Sequence, residues 1–295
     1  MKQNKNRPAP AGRGTVMREL SCAEIAAAAQ TLCLRAAVFL PPDLAMQIEC
    51  ASETEPDPAG RAALVQLVDA FTAAGLERRP LAPDMGYPVF FIRLGQEVHI
   101  TGGSLADAVG AGVRRARAAL PGQKTVCDPV RRSGLPDGAP CTLHVQSVPG
   151  DRLELTAAPA GFAGGEAAAL RLFPAGTDRE ALEDWITVQA EAALQTVCPP
   201  VVVGVGLGGD AAAAMLLAAQ GRAVPADRRS ADAFYAAMEH RLLARINRSG
   251  VGPGRKGGRT SAVAVHIAAA PADAAALPCA VSVGGWPMRR ASCVL

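Results

Sequence analysis

The 295-residue chain is 49% apolar, much of it alanine, with a formal net charge of only +3 and a mean hydropathy of +0.16. That length allows one large core or two small ones. The weak charge and an aromatic content of 4% speak against a nucleic-acid-binding face, which needs a concentrated basic stripe with stacking rings. No run of the roughly 18 apolar residues that a membrane span requires stands out either.

In chain order, residues 1–14 are basic and rich in Pro, Gly and Asn without an apolar stretch, the composition of a solvated, disordered tail rather than a secretory leader. Residues 15–295 show no internal repeat and no linker, so a single continuous unit is expected. "AEIAAAAQTLCLRAAVFL" predicts a helix with Ile25, Leu32 and Ala36 on one face. A second helix follows Pro41–Pro42, and a third ends near Gly75. "YPVFFIRL" (87–94) has strand composition, and "QEVHITGG" reads as a further strand after Gly95. "SLADAVGAGVRRARAAL" is a helix with Ser104 as its N-cap.

"CTLHVQSVPGDRLELTAAP" predicts a hairpin about Pro149-Gly150-Asp151. Residues 178–196 are helical and lead to "CPPVVVGVGLGGDAAAA", a strand, a turn and a helix. Residues 231–246 form another helix, and "GVGPGRKGGRT" is a glycine-rich loop feeding a strand. The sum is an α/β fold: a helical N-terminal part followed by a mixed β-sheet with flanking helices.

Cysteines at 22, 33, 50, 127, 141, 198, 279 and 293 include no C-x-x-C pair, which predicts reduced thiols in a cytoplasmic protein, most of them small core residues. Gly204, Gly206 and Gly209 satisfy G-x-G-x-x-G, but Asp227 is not at the end of a buried strand and Asp210 sets negative charge at the helix start. The glycines therefore read as permitting tight backbone geometry rather than cradling a dinucleotide. His99, His144 and His266 lie in strand-like alternations and His240 on a helix, none at metal-ligand spacing, so ordinary half-buried or surface histidines are expected. Arg131–Arg132 and Arg289–Arg290 could bind anions, although such pairs are more often solvated.

Several blocks together carry a resemblance. "PLAPDMGYPVFFIRLG", "GQEVHITGGSL", "CPPVVVGVGLGGD", "GVGPGRKGGRTSAVAVHI" and "LPCAVSV" followed by "RRA" resemble, in order, the α subunit or N-terminal domain of class I fumarases and L-tartrate dehydratases. The resemblance implies an Fe–S hydro-lyase fold in which three cysteines hold a [4Fe-4S] cluster. Its open iron acts as a Lewis acid while water is added or removed across a double bond.

Position by position, Cys198 matches one cluster ligand, in the family's Cys-Pro-Pro. The other two ligand positions fall on Ala82, in Ala82-Pro83-Asp84-Met85-Gly86, and on Gly285. The family's arginine falls on Gly122 and its histidine on Asp273. Asp84, Asp137 and Glu166 remain as vestiges of the active site. Alanine and glycine cannot ligate iron, so no cofactor is predicted, [4Fe-4S] being the family's. The resemblance then implies a diverged α-type chain that acts as a structural or regulatory subunit, either as a homo-oligomer or beside a β subunit or an active α subunit. The rival expectation is an active hydro-lyase on a dicarboxylate or hydroxy acid, with a rearranged cluster or a β-subunit partner. A further alternative is a divalent-metal site built from Asp84, Asp273 and Cys198. No nucleic-acid or membrane partner is expected.

Overall fold

A capping box opens the first helix. Glu24 N–H donates to the Ser21 hydroxyl at 3.2 Å while Ser21 N–H donates to the Glu24 carboxylate at 3.0 Å, so β1 (Arg18–Ser21) turns directly into α1 (Cys22–Val38). The computed structural model describes residues 17–82, 86–120, 126–134, 141–160, 166–286 and 288–295; the expected tail lies outside them. Ile25, Leu32 and Ala36 are buried along one stripe of α1, as the spacing predicts. Pro41 and Pro42 separate it from α2 (Pro42–Thr54), and Asp57 caps α3 (Pro58–Glu77) by accepting from Gly60 N–H at 2.8 Å. Contrary to the composition reading, Cys22–Thr54 does reach the apolarity of a membrane span. The proline break divides it, and half of its apolar window is buried inside the protein.

The next elements are β2 (Val89–Gly95), β3 (Val98–Thr101), α4 (Leu105–Ala119), β4 (Thr142–Val148), β5 (Leu153–Ala157), β6 (Glu166–Pro174) and α5 (Arg179–Ala193). After them come β7 (Val201–Gly209), α6 (Ala211–Arg222), α7 (Ala233–Asn247), β8 (Ala262–Ala272), β9 (Ala276–Gly284) and β10 (Ala291–Val294). Beyond a β1–β3 ribbon they form two four-stranded mixed sheets, ordered β10-β5-β2-β4 and β6-β9-β7-β8. The fold is α/β.

The predicted hairpin is not one. β4 and β5 are joined by the Pro149-Gly150-Asp151 turn, but β2 lies between them, parallel to β4 and antiparallel to β5. The reason is at the turn: Gln96 N–H donates to Val148 O at 2.9 Å and Glu97 N–H to Gly150 O at 3.0 Å. The end of β2 thus satisfies the carbonyls that a hairpin would have used internally.

In the first sheet Phe90, Ile92, Leu153 and Leu155 pack under α1 and α4. Alternation turns Val89, Phe91 and Arg93 to the opposite face. In the second sheet Cys279, Val281 and Val283 share the face covered by α5 and α7, as their alternation predicts, while Ala280 meets α6 on the other face. Helix α6 also faces the first sheet across a cleft, since Ala219 and Ala223 line the same cavity as Val89 and Phe91.

His266 corrects the expectation of half-buried or surface histidines. It sits in β8 opposite Gly204 and is 2% exposed. Burial above all, aided by the charges of Arg229, Arg290 and Arg228 against Asp43, pushes its pKa down to about 4. The unfolded chain takes up this proton below about pH 6.5 and the folded chain only near 4, so the group's contribution is lost as pH falls through that window. Stability measured by urea melts should drop by roughly 3 kcal/mol from this group between pH 7 and pH 4, and a His266→Leu variant should lose that part of the pH slope. Equal slopes in the two proteins would contradict the assignment.

Candidate functional site

The segment 194–199 is held from two sides before its cysteine is considered. Arg255, in the predicted glycine-rich loop, donates from Nε to Leu194 O at 2.8 Å and from Nη2 to Val197 O at 3.1 Å, and Gly254 N–H donates to Pro199 O at 3.0 Å. From the other side Trp286 N–H donates to Cys198 O at 3.1 Å. The loop therefore works as a backbone clamp on the Cys-Pro-Pro turn, in which the Pro199–Pro200 bond is cis.

Two of the three cluster positions meet here. A Cβ built on Gly285 would stand 2.7 Å from Cys198 O, 3.1 Å from Val197 Cγ1 and 3.3 Å from Cys198 N. The register is right for a shared site, but the backbones have closed onto each other and leave no room for a side chain at 285. Ala82 follows Leu81, which packs against the same buried cluster as Trp286. Asp84 and Asp137 lie outside the described residues, as does Gly122.

Asp273 goes elsewhere. It caps the β8–β9 turn, its Oδ1 accepting from Ala275 N–H at 2.8 Å. Gly285 follows the far end of β9, whose nine residues span roughly 26 Å. Strand geometry thus separates Asp273 from Cys198, and the metal site expected from Asp84, Asp273 and Cys198 is not assembled.

Nor do the cysteines near these positions in the chain supply the missing ligands of a rearranged cluster. Cys279 is buried in β9, where burial pushes its thiol up to about 12, and Cys293 pairs with Leu155 in the other sheet. Cys141 packs against the α1–α4 core with its thiol pushed up by burial, and Cys127 bridges Gly134. Among the described residues no three His, Cys, Asp or Glu side chains stand in a metal-holding group. A cubane held by three thiolates does not fit the residues present.

Beside this closed turn is a cavity of about 230 Å³ between α6 and the outer face of the first sheet. Glu166, at the start of β6 and opposite Gly284, accepts from Arg222 Nη2 at 2.5 Å. Arg222 is 8% exposed; burial works against its charge, and Glu166 works for it. Met288 fills the position a side chain at Gly284 would take, linking the ion pair to the 284–288 turn. His144 lines the opposite wall, stacked on Phe91 with ring centroids 5.4 Å apart and its pKa lowered by burial.

Nor is Arg289–Arg290 a solvated pair: Arg289 is 1% exposed, and Arg290 donates to Asp43 Oδ1 at 2.6 Å. The sequence reading missed Arg222. Its spacing of four from the buried Ala218 and eight from Ala214 on α6 places it on the inward stripe.

The G-x-G-x-x-G stretch is packing, as the sequence suggested. Asp210 caps α6 by accepting from Ala213 N–H at 2.7 Å, and Gly204 and Gly206 admit the helix onto the strand.

A profile of the fumarate hydratase (Fumerase) family matches residues 26–294. The chain belongs to that family. A putative L(+)-tartrate dehydratase subunit alpha of Methanocaldococcus jannaschii is 26% identical over 262 residues, 87% of this chain and 92% of the relative. An L(+)-tartrate dehydratase subunit alpha of Escherichia coli is 24% identical over 255 residues, 85% of this chain and 84% of the relative.

Proposed function

We propose that this member of the fumarate hydratase family is a diverged α-type chain that carries no [4Fe-4S] cluster and serves as a structural or regulatory subunit. The observation that carries this reading is the contact between positions 285 and 198. A ligand position has become glycine, and the Cys198 carbonyl lies 2.7 Å from where its Cβ would be. With alanine at 82 and glycine at 285, the one retained thiolate, Cys198, offers a cluster a single protein ligand.

The names of the relatives support a subunit partner, since both are called subunit alpha. In this reading the chain pairs with a β-type or active α-type chain, or with itself. Eight free cysteines are in keeping with a reducing, cytoplasmic setting.

Anaerobic purification followed by iron and sulfide analysis tests the proposal. Iron far below one cluster per chain is expected, with no hydration of fumarate or dehydration of tartrate by the chain alone. Near-stoichiometric iron and sulfide would overturn it and favour the active enzyme with a rearranged cluster. Isolation of the tagged chain from its native source should bring down a β-type or second α-type chain if it does not self-associate.

A further inference from the structure

The larger cavity, about 720 Å³, opens where the outer face of the first sheet meets the ends of α1, α2 and α6. None of Ala82, Cys198 or Gly285 lines it. Four arginines do: Arg35 from the last turn of α1, Arg93 from β2, Arg228 from the turn after α6, and Arg290.

Among the described residues two carboxylates share the lining, Asp43 and Glu154, and both are engaged. Asp43 accepts from Arg290 at 2.6 Å and from Ala226 N–H at 2.7 Å, and Glu154 accepts from Arg93 at 3.2 Å. Arg35 and Arg228 are exposed, and among the described residues neither has a carboxylate within ion-pair distance. They come from separate elements, yet both line the same concave site.

We propose that this cleft binds a small polyanion, a molecule carrying at least two carboxylate or phosphate groups, with Arg35 and Arg228 as its primary contacts. Guanidinium groups offer forked donors that match either anion, and charge-assisted hydrogen bonds of this kind are the strong ones. The walls concentrate the field: two uncompensated cations in a concave site raise the local potential more than the same charges on a convex surface. Gln146, Gln220 and Ser292 add uncharged hydrogen-bonding groups for the rest of the ligand. The inference is independent of whether the chain holds a cluster.

Calorimetric titration of the full chain at low ionic strength tests it, with citrate and pyrophosphate as probes and glycerol as neutral control. At least one anion should bind one-to-one with a Kd below about 1 mM, and added salt should weaken it. Citrate preference identifies a carboxylate ligand and pyrophosphate preference a phosphate ligand. Arg35→Gln and Arg228→Gln should each weaken binding roughly tenfold, whereas Arg115→Gln, exposed on α4 and outside the cleft, should bind like the parent. Because neither Arg35 nor Arg228 has a carboxylate partner among the described residues, both variants should melt like the parent protein, which separates lost binding from lost fold. Failure of both anions to bind, or binding unchanged in both variants, would overturn the proposal.

Discussion

Gly206→Ala is expected to destabilise the protein by about 3 kcal/mol or more, at the upper end of overpacking effects. The added Cβ would overlap the Ala214 carbonyl of α6 and come within 2.7 Å of Ala218 N. Neither obstacle is the movable end of a side chain; both are helix backbone, so α6 as a whole must retreat from β7. Gly204 repeats the arrangement one helical turn along, against the Ala218 carbonyl and 2.7 Å from Arg222 N. The buried Ala214, Ala218 and Gly221 present a matching small-residue stripe. Retreat of the helix would also shift Arg222 from Glu166 and strip a buried charge of its partner, which adds to the cost. Thermal and urea melts of Gly206→Ala against the parent protein check this. An unchanged midpoint would mean that α6 is not seated as described.

The close seating of α6 also explains which parts of the site could be read from sequence. A glycine–alanine strand-to-helix stretch announces close approach, so the structural role of Gly204 and Gly206 was accessible without coordinates, whereas Asp210 was read only as negative charge at the helix start and not as its cap. Helix starts were legible for the same local reason: Ser104 and the proline at 42 act within one turn of themselves.

The sheet order was not legible. β2 enters between β4 and β5 through hydrogen bonds from residues some fifty positions away, and no local pattern around Pro149-Gly150-Asp151 encodes that. β6, alanine-rich and partly exposed, and the four-residue β1 and β10 carry too little alternation to be seen. Among site residues, Cys198 and Gly285 were matched by resemblance and do meet in space. Asp273 was matched in the same way, yet its carboxylate is spent on the turn it caps.

Glu55 provides the second large expected effect: Glu55→Ala should cost about 3 kcal/mol, since hydrogen bonds to a charged group are worth about 1.5–3 kcal/mol and the donors left behind are buried. Glu55 is 1% exposed at the end of α2, yet its carboxylate accepts from Arg259 N–H at 2.9 Å, from Thr260 N–H at 2.9 Å and hydroxyl at 2.7 Å, and from Asp57 N–H at 3.2 Å. Burial alone would raise its pKa; these hydrogen bonds outweigh that and hold the carboxyl below its usual range. The stabilisation is therefore present above the ordinary carboxylate pKa and lost as pH falls through the lowered one. Alanine would leave the amide donors of 259 and 260 without their acceptor.

The backbone here is fitted to Glu55. Gly258, at φ +114°, would carry a Cβ 2.6 Å from the Glu55 Oε1, so the carboxylate occupies the space a side chain would need. The loop it anchors is the one whose Gly254 and Arg255 hold the Cys-Pro-Pro segment, so loss of Glu55 should also loosen Cys198. Two measurements separate the effects: the urea midpoint should fall, and alkylation of Cys198, followed by mass spectrometry at a denaturant concentration where both proteins remain folded, should quicken. Glu55→Gln keeps an acceptor for the amides of 259 and 260 and should recover part of the midpoint. If Glu55→Ala melts like the parent protein, the loop is held by its own turns, and the clamp on the Cys-Pro-Pro segment does not originate at α2.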